Sequence, residues 1–277
     1  MKWHIFPMTP DKRGILCSPL PLAPRPNPAT LADMNDRTPP PLQQERLPDD
    51  IERASLAIID AEVPEPRPFA GAQWEVVRRM IHATADFELP SLVRFHPRAV
   101  ESGLTALAAG AVIVTDTRMA CMGIPERRLT PLGCRVACLI DDPRAAHAAG
   151  SEATTRTAAA VDLAVSLADG PGIVPGTAGA PVIFVIGNAP TALLRLLDHM
   201  QAGRIRPALV AGLPVGFVNA AQSKAMLAEF GESARGVPYL TVIGRKGGST
   251  SAAAAINALL ELALREKARA DAASRVP

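Results

Sequence analysis

Val182-Ile183-Phe184-Val185-Ile186-Gly187-Asn188-Ala189-Pro190-Thr191 holds the end of a strand, a turn and the start of a helix in one stretch. Its apolar run is of strand length and carries no polar alternation, so both faces must be buried. Gly187 stops it, and Pro190 suits the first turn of a helix because its missing N–H would be unpaired there anyway. The same arrangement recurs on either side, with apolar runs at residues 111–114, 136–140, 207–210 and 239–243 that each end in polar or glycine residues. The intervals between them contain helix-like segments. Upstream, residues 51–61 and 73–84 read as helices, the second with Val76, Val77, Met80, Ile81 and Thr84 at helical spacing.

Strands alternating with helices predict an α/β fold: three layers, with a mainly parallel sheet of about five strands covered on both faces by the crossover helices. Ligands of such sheets bind beyond the carboxyl ends of the strands. Those ends are Thr115-Asp116, Asp141-Asp142, Gly187-Asn188, residues 212–217 and residues 244–249. Residues 1–47, proline-rich and including Pro39-Pro40-Pro41, have no sustained period and read as a disordered or loosely docked arm. The folded domain is expected over residues 48–264, and the charged, alanine-rich residues 265–277 are expected to fray.

Composition narrows the function classes. Hydrophobic residues make up 48%, charged residues 20% and aromatic residues 4% of the 277, which predicts a soluble protein with an aliphatic core. A formal charge of +2, from 29 basic and 27 acidic residues, speaks against a protein that neutralises many nucleic-acid phosphates. No run reaches the roughly 18 apolar residues of a membrane span, and Met1-Lys2-Trp3-His4-Ile5-Phe6-Pro7 lacks the pattern of a secretory signal. The expectation is therefore cytoplasmic, with no nucleic acid and no membrane partner. Cys17, Cys121, Cys134 and Cys138 form no C-x-x-C pair and are expected as reduced thiols, Cys138 as plain core. None of His4, His82, His96, His147 and His199 pairs with another ligand at metal spacing, so no metal site is expected.

Three local motifs bear on chemistry. Gly244-Arg245-Lys246-Gly247-Gly248-Ser249-Thr250 follows a strand and opens an alanine-rich helix. Its N–H groups either cradle an anion or simply make a tight turn. As a nucleotide loop it is misspelled, because Gly248 stands where a Walker A needs lysine, and no G-x-G-x-x-G follows the first strand; a nucleotide-dependent enzyme using this loop is the third reading, which a titration with ATP or NAD would test. Asn188 either caps the helix that follows or points at a ligand. His82, taken alone, reads as a solvent-facing or capping residue at a helix end whose dipole favours its protonated form.

The surrounding string changes that reading. Val76-Val77-Arg78-Arg79-Met80-Ile81-His82-Ala83-Thr84-Ala85-Asp86-Phe87-Glu88 resembles the signature of the precorrin-8X and cobalt-precorrin-8 methylmutases. Further similar strings follow in order: Gly110-Ala111 through Asp116, Met122-Gly123-Ile124, Thr155-Arg156-Thr157-Ala158-Ala159, Gly187-Asn188-Ala189-Pro190-Thr191-Ala192-Leu193, Gly212-Leu213-Pro214-Val215-Gly216-Phe217-Val218, and the Gly244 loop. The resemblance spans roughly residues 51–260. Ala85 departs from it, standing where the family often has glycine, and residues 169–180 look like an enlarged loop. The proline-rich arm has no counterpart.

The resemblance implies a flavodoxin-like fold, a homodimer with active sites near the interface, and no organic cofactor. It implies an isomerase of cobalamin biosynthesis that moves a methyl group from C11 to C12 of a corrin precursor, giving hydrogenobyrinate or its cobalt-containing equivalent. His82 is then the catalytic acid, and Ser55 and Arg156 match positions the family uses around its tetrapyrrole substrate. Protonating a ring nitrogen draws electrons from the carbon that receives the methyl, and histidine, with an ordinary pKa of about 6.5, suits that task. The acetate and propionate arms of the substrate call for local cations with planar donors. Arg156 is the first candidate, followed by Arg245 and Lys246, with Asn188 and Thr191 as neutral hydrogen-bonding groups at a helix start. The alternative is a tetrapyrrole carrier on the same fold without chemistry.

Overall fold

The computed structural model describes residues 47–63 and 65–274, so the expected arm lies, apart from Leu47, outside the described residues. Six strands form one sheet: β1 (Val93–Phe95), β2 (Val112–Thr115), β3 (Arg135–Cys138), β4 (Val182–Ile186), β5 (Leu209–Gly212) and β6 (Tyr239–Val242). Their spatial order is β1-β6-β5-β4-β2-β3. All neighbours are parallel except β1 with β6, which is antiparallel. The five runs read from the sequence are the five parallel strands.

The sixth strand corrects the expected count of about five. It is three residues long, Val93-Arg94-Phe95, and only Val93 is fully buried, because an edge strand has one neighbour and an exposed flank. So short a run carries no period to detect. The other edge explains a second correction. Cys138, expected in the core, is only half-buried on edge strand β3, and Cys134, just before that strand, takes the core position instead.

Alternation along β4 builds two cores at once. Ile183 and Val185 face one layer, with Leu107, Leu209, Leu240 and the alanine-rich helix near the C-terminus. Phe184 and Ile186 face the other layer, with Val161, Leu193, Leu196 and Leu227. Each such fully buried large side chain contributes about 1.5–3 kcal/mol.

The first layer contains α1 (Pro48–Glu62), α2 (Gly71–Thr84), α4 (Ala99–Ala108) and α11 (Ser249–Ala273), and short helices α3 (Leu89–Leu92), α5 (Arg118–Met122) and α6 (Glu126–Leu129) complete it. α1 opens with Pro48 and carries Asp49 and Asp50 in its first turn, which suits the positive end of the helix dipole. It is tied to α2 by Asp60, which accepts from Trp74 Nε1 at 2.8 Å and Arg78 Nη1 at 2.6 Å. Small side chains let α11 lie close: Ala252, Ala253, Ala254, Ala255 and Ala258 are all buried.

On the other face, α8 (Arg156–Ala168), α9 (Pro190–Gln201) and α10 (Ala220–Gly231) pack against the sheet, with α7 (Pro143–Ser151) beyond α8. Residues 265–273, expected to fray, continue α11 as helix. They are exposed, and Arg265 is paired with Glu75 on α2. Residues 169–180 run as turns into the start of β4 and so lie at the opposite end of the sheet from the strand ends that carry the candidate residues.

Candidate active site

Chain reversal at the carboxyl ends of β2, β4, β5 and β6 brings four loops together. Asp116, directly after β2, organises the one after β4. It is buried, and its carboxylate accepts the backbone N–H groups of Gly187 at 2.9 Å, Asn188 at 2.8 Å and Ala189 at 2.7 Å. Burial pushes its pKa up, against the lowering effect of those three donors. Gly187 is required here because a Cβ would stand 2.7 Å from Ser249 Cα, at the start of α11. Ser249 Oγ and Thr117 Oγ1 are 2.9 Å apart, and Thr117 caps α5 through the N–H of Ala120.

His82 lies in the last turn of α2, exposed, where the helix ends at Ala85 with φ 53°. It borders a cavity of about 300 Å³ together with Arg79, Met119, Arg128, Ser249 and Asn257. Arg79, one turn before His82, donates to Glu52 and to Glu261 at 2.6 Å each. Arg128 stands 3.7 Å from Glu261. Hydrogen bonding from Arg79 holds Glu52 below the usual carboxylate range, in spite of burial. Burial, reinforced by repulsion from Arg79, lowers the pKa of Arg128. Two guanidiniums, Arg79 and Arg128, thus stand at the cavity with two carboxylates, Glu52 and Glu261, to balance them.

Ser55 lies on α1, one turn beyond Glu52, and its hydroxyl donates to its own helix at the carbonyl of Ile51, 2.8 Å away. No hydrogen bond joins it to His82 among the described residues. A second group of candidates comes together on the other side of the sheet edge. Thr155 Oγ1, the cap of α8, is 2.9 Å from Thr191 Oγ1 on α9, and Thr157 Oγ1 is 3.3 Å from the same atom. Arg156 is exposed between these threonines, and Asn188 is exposed just before α9. Two helix N-termini, a guanidinium and an amide thus converge on one patch, a setting that favours anions.

The Gly244 loop divides its two cations. Arg245 is exposed and lies 5.4 Å above the ring of Phe217. Lys246 is engaged within the protein: its Nζ donates to Asp86 at 2.8 and 3.0 Å and lies 3.0 Å from Glu88. Burial alone would lower its pKa, and the two carboxylates reverse this and raise it. A larger cleft of about 400 Å³ opens at the far end of the sheet beside Arg98, Glu101 and Arg206, and none of the candidate residues borders it.

The sequence reading missed Arg79, Arg128, Asn257 and the organising role of Asp116. Arg79 had a signal, since it stands three residues before His82 and shares its helix face. Asp116 was marked by its place at a strand end. Arg128 and Asn257 had none, because only tertiary packing brings them to the cavity. Among the described residues no group of three His, Cys, Asp or Glu side chains could hold a metal ion, and no helix is long and apolar enough to cross a membrane.

The chain resembles known proteins over most of its length. The profile of the family described as Precorrin-8X methylmutase matches residues 50–262. A cobalt-precorrin-8 methylmutase of Leptospira interrogans is 41% identical over 213 residues, covering 76% of this chain and 92% of that one. A precorrin-8X methylmutase of Pseudomonas aeruginosa is 42% identical over 212 residues, covering 76% and 93%. A crystal structure of precorrin-8X methylmutase from Thermus thermophilus superposes with a TM-score of 0.67 at 43% identity, covering 79% of this chain and 97% of that one. The chain belongs to the precorrin-8X methylmutase family.

Proposed function

We propose that this chain isomerises precorrin-8X or its cobalt-containing counterpart by moving the methyl group from C11 to C12, with His82 as the proton donor. The observation that carries this reading is the exposed imidazole of His82 beside a cavity that the guanidiniums of Arg79 and Arg128 also line. No atoms are gained or lost in the reaction, so a positioned acid and a well-held substrate are the chemical requirements. An imidazolium at this rim protonates a ring nitrogen and recovers the proton when the product forms.

The carboxylate arms of the macrocycle are assigned to the patch of Arg156, Asn188 and Thr191 and to Arg245. Planar guanidinium donors bind carboxylates in pairs, and the helix starts of α8 and α9 add partial positive charge. Lys246 is assigned a lesser part, since Asp86 and Glu88 already hold its ammonium. Ser55, one turn from the Glu52–Arg79 pair, is assigned to orient His82 or a propionate, and a normal rate for Ser55→Ala would remove that role.

A cavity of about 300 Å³ is too small to enclose a tetrapyrrole. Met119, which lines it, is 66% exposed, and Met122 on the same short helix is 83% exposed, an apolar rim of the kind that marks an interface. A second copy of the chain covering this rim would complete the site, and the proposal therefore includes a homodimer. Incubation of purified protein with metal-free and with cobalt-loaded substrate, followed by visible spectra, tests the activity. A time-dependent shift of the bands is expected. Static spectra, unchanged beyond binding, would contradict an isomerase and leave only a carrier.

A further inference from the structure

Among the described residues Lys224 is the one large cation inside the core: it lies one turn into α10 and is 1% exposed. Among the described residues no carboxylate pairs with it. Its Nζ donates to a neutral group, the carbonyl oxygen of Lys246. Burying a charge without a counter-charge is costly, and an apolar side chain of similar size would make the same core more stable. Packing alone gives no reason for an amine at this position. Its one acceptor does, because that carbonyl belongs to the loop between β6 and α11.

This loop is fastened along its length to the one after β5. Gly216 N–H donates to the Arg245 carbonyl at 3.1 Å, and Gly248 N–H donates to Leu213 O at 2.9 Å. Gly247, at φ 150°, approaches so closely that a Cβ would stand 2.2 Å from Leu213 O. At the centre Lys224 holds the Lys246 carbonyl from below, while the Lys246 side chain reaches across to Asp86 and Glu88. Asp86 is fixed in the turn after α2, accepting the Glu88 N–H at 3.0 Å. His82 is one turn upstream, in the last turn of that helix.

We propose that Lys224 is a positioning residue for the isomerisation, fixing the loop at residues 244–248 and, through Lys246 and Asp86, the place of His82 over the cavity. The inference rests on the methylmutase reading above. Burial lowers the ammonium's pKa to about 8, which leaves it charged at neutral pH and so able to hold the carbonyl firmly. The neutral partner suits such a role, since a carboxylate there would compete with the loop for the ammonium.

Purified full-length protein carrying Lys224→Met is the test, with kcat, KM and Tm measured beside the wild type on the same substrate. Methionine fills similar space without charge, so Tm is expected to hold or rise, while kcat falls about 10- to 100-fold through misplacement of the acid. A variant with held Tm and wild-type kcat overturns the proposal. Should Tm fall, Lys246→Met reads the same connection from its exposed end. It is expected to lower kcat by a larger factor than it raises KM. A raised KM with kcat intact, or no change in either, overturns the proposal there. No conversion by the wild type sinks the methylmutase reading and this inference together, whereas conversion by the wild type with an unimpaired variant sinks only the role of Lys224.

Discussion

His82 stands clear of the protein because α2 stops one turn later, at Ala85. With φ 53° this alanine occupies the left-handed region, which costs a residue with a Cβ roughly 1–2 kcal/mol and costs glycine almost nothing. Ala85→Gly is therefore expected to raise stability by about 0.5–1 kcal/mol, after the greater unfolded-state freedom of glycine is counted, and thermal unfolding would register it. An unchanged or lower Tm would mean that the turn is not strained. The contribution proposed for Arg156 is of the opposite kind, to the ligand and not to the fold. Its exposed guanidinium is assigned to a carboxylate arm, and a hydrogen bond to a charged group is worth about 1.5–3 kcal/mol. Arg156→Ala is expected to raise KM about tenfold or more with kcat little changed, and a KM equal to wild type would take the arginine out of the site.

Among the elements, the loop after β4 depends most on a single side chain. Asp116 satisfies three N–H groups at once, and Asp116→Ala would leave those of the buried Gly187 and Ala189 without a partner, at a cost of about 1–3 kcal/mol each before relaxation. Chemical denaturation is expected to show a loss of several kcal/mol, with substrate binding weakened because Asn188 and Thr191 move with the loop. Lys224 gives α10 a pH signature. Its pKa falls from 10.5 to about 8 on folding, so between these values the unfolded chain binds more protons than the folded one. Stability then rises with pH across that window, by about 3 kcal/mol for this group. Lys224→Met should abolish that rise, and a wild-type profile in the variant would show that the lysine is not the source. The elements differ in how far they could be read from sequence. The five parallel strands were legible because each run must be apolar on both faces, and His82 and the strand-end residues followed from that topology and the motif strings. The clasp of Lys246 by Asp86 and Glu88 was not legible. It joins residues 160 positions apart through a fold that local pattern does not encode.

At the scale of the whole molecule, the α/β architecture gathers two groups of candidate residues, proposed as the halves of one site, on either side of one sheet edge. One holds His82 with Arg79 and Arg128, and the other holds Arg156 with Asn188 and Thr191. Edge strand β1 escaped the sequence reading because three residues with one buried side chain carry no period. In the proposed dimer a second copy covers the apolar rim of Met119 and Met122. Sedimentation is expected to report a dimer, and Met122→Glu to shift it toward monomer with loss of turnover; a wild-type monomer that is fully active would contradict shared closure of the site. The central claim concerns the proton, and single-turnover spectra of His82→Ala with the macrocycle already bound test it most directly. The expected result is a normal bound-state spectrum whose conversion is slowed about 10²- to 10⁴-fold, the usual worth of a general acid. Conversion at the wild-type rate would contradict it.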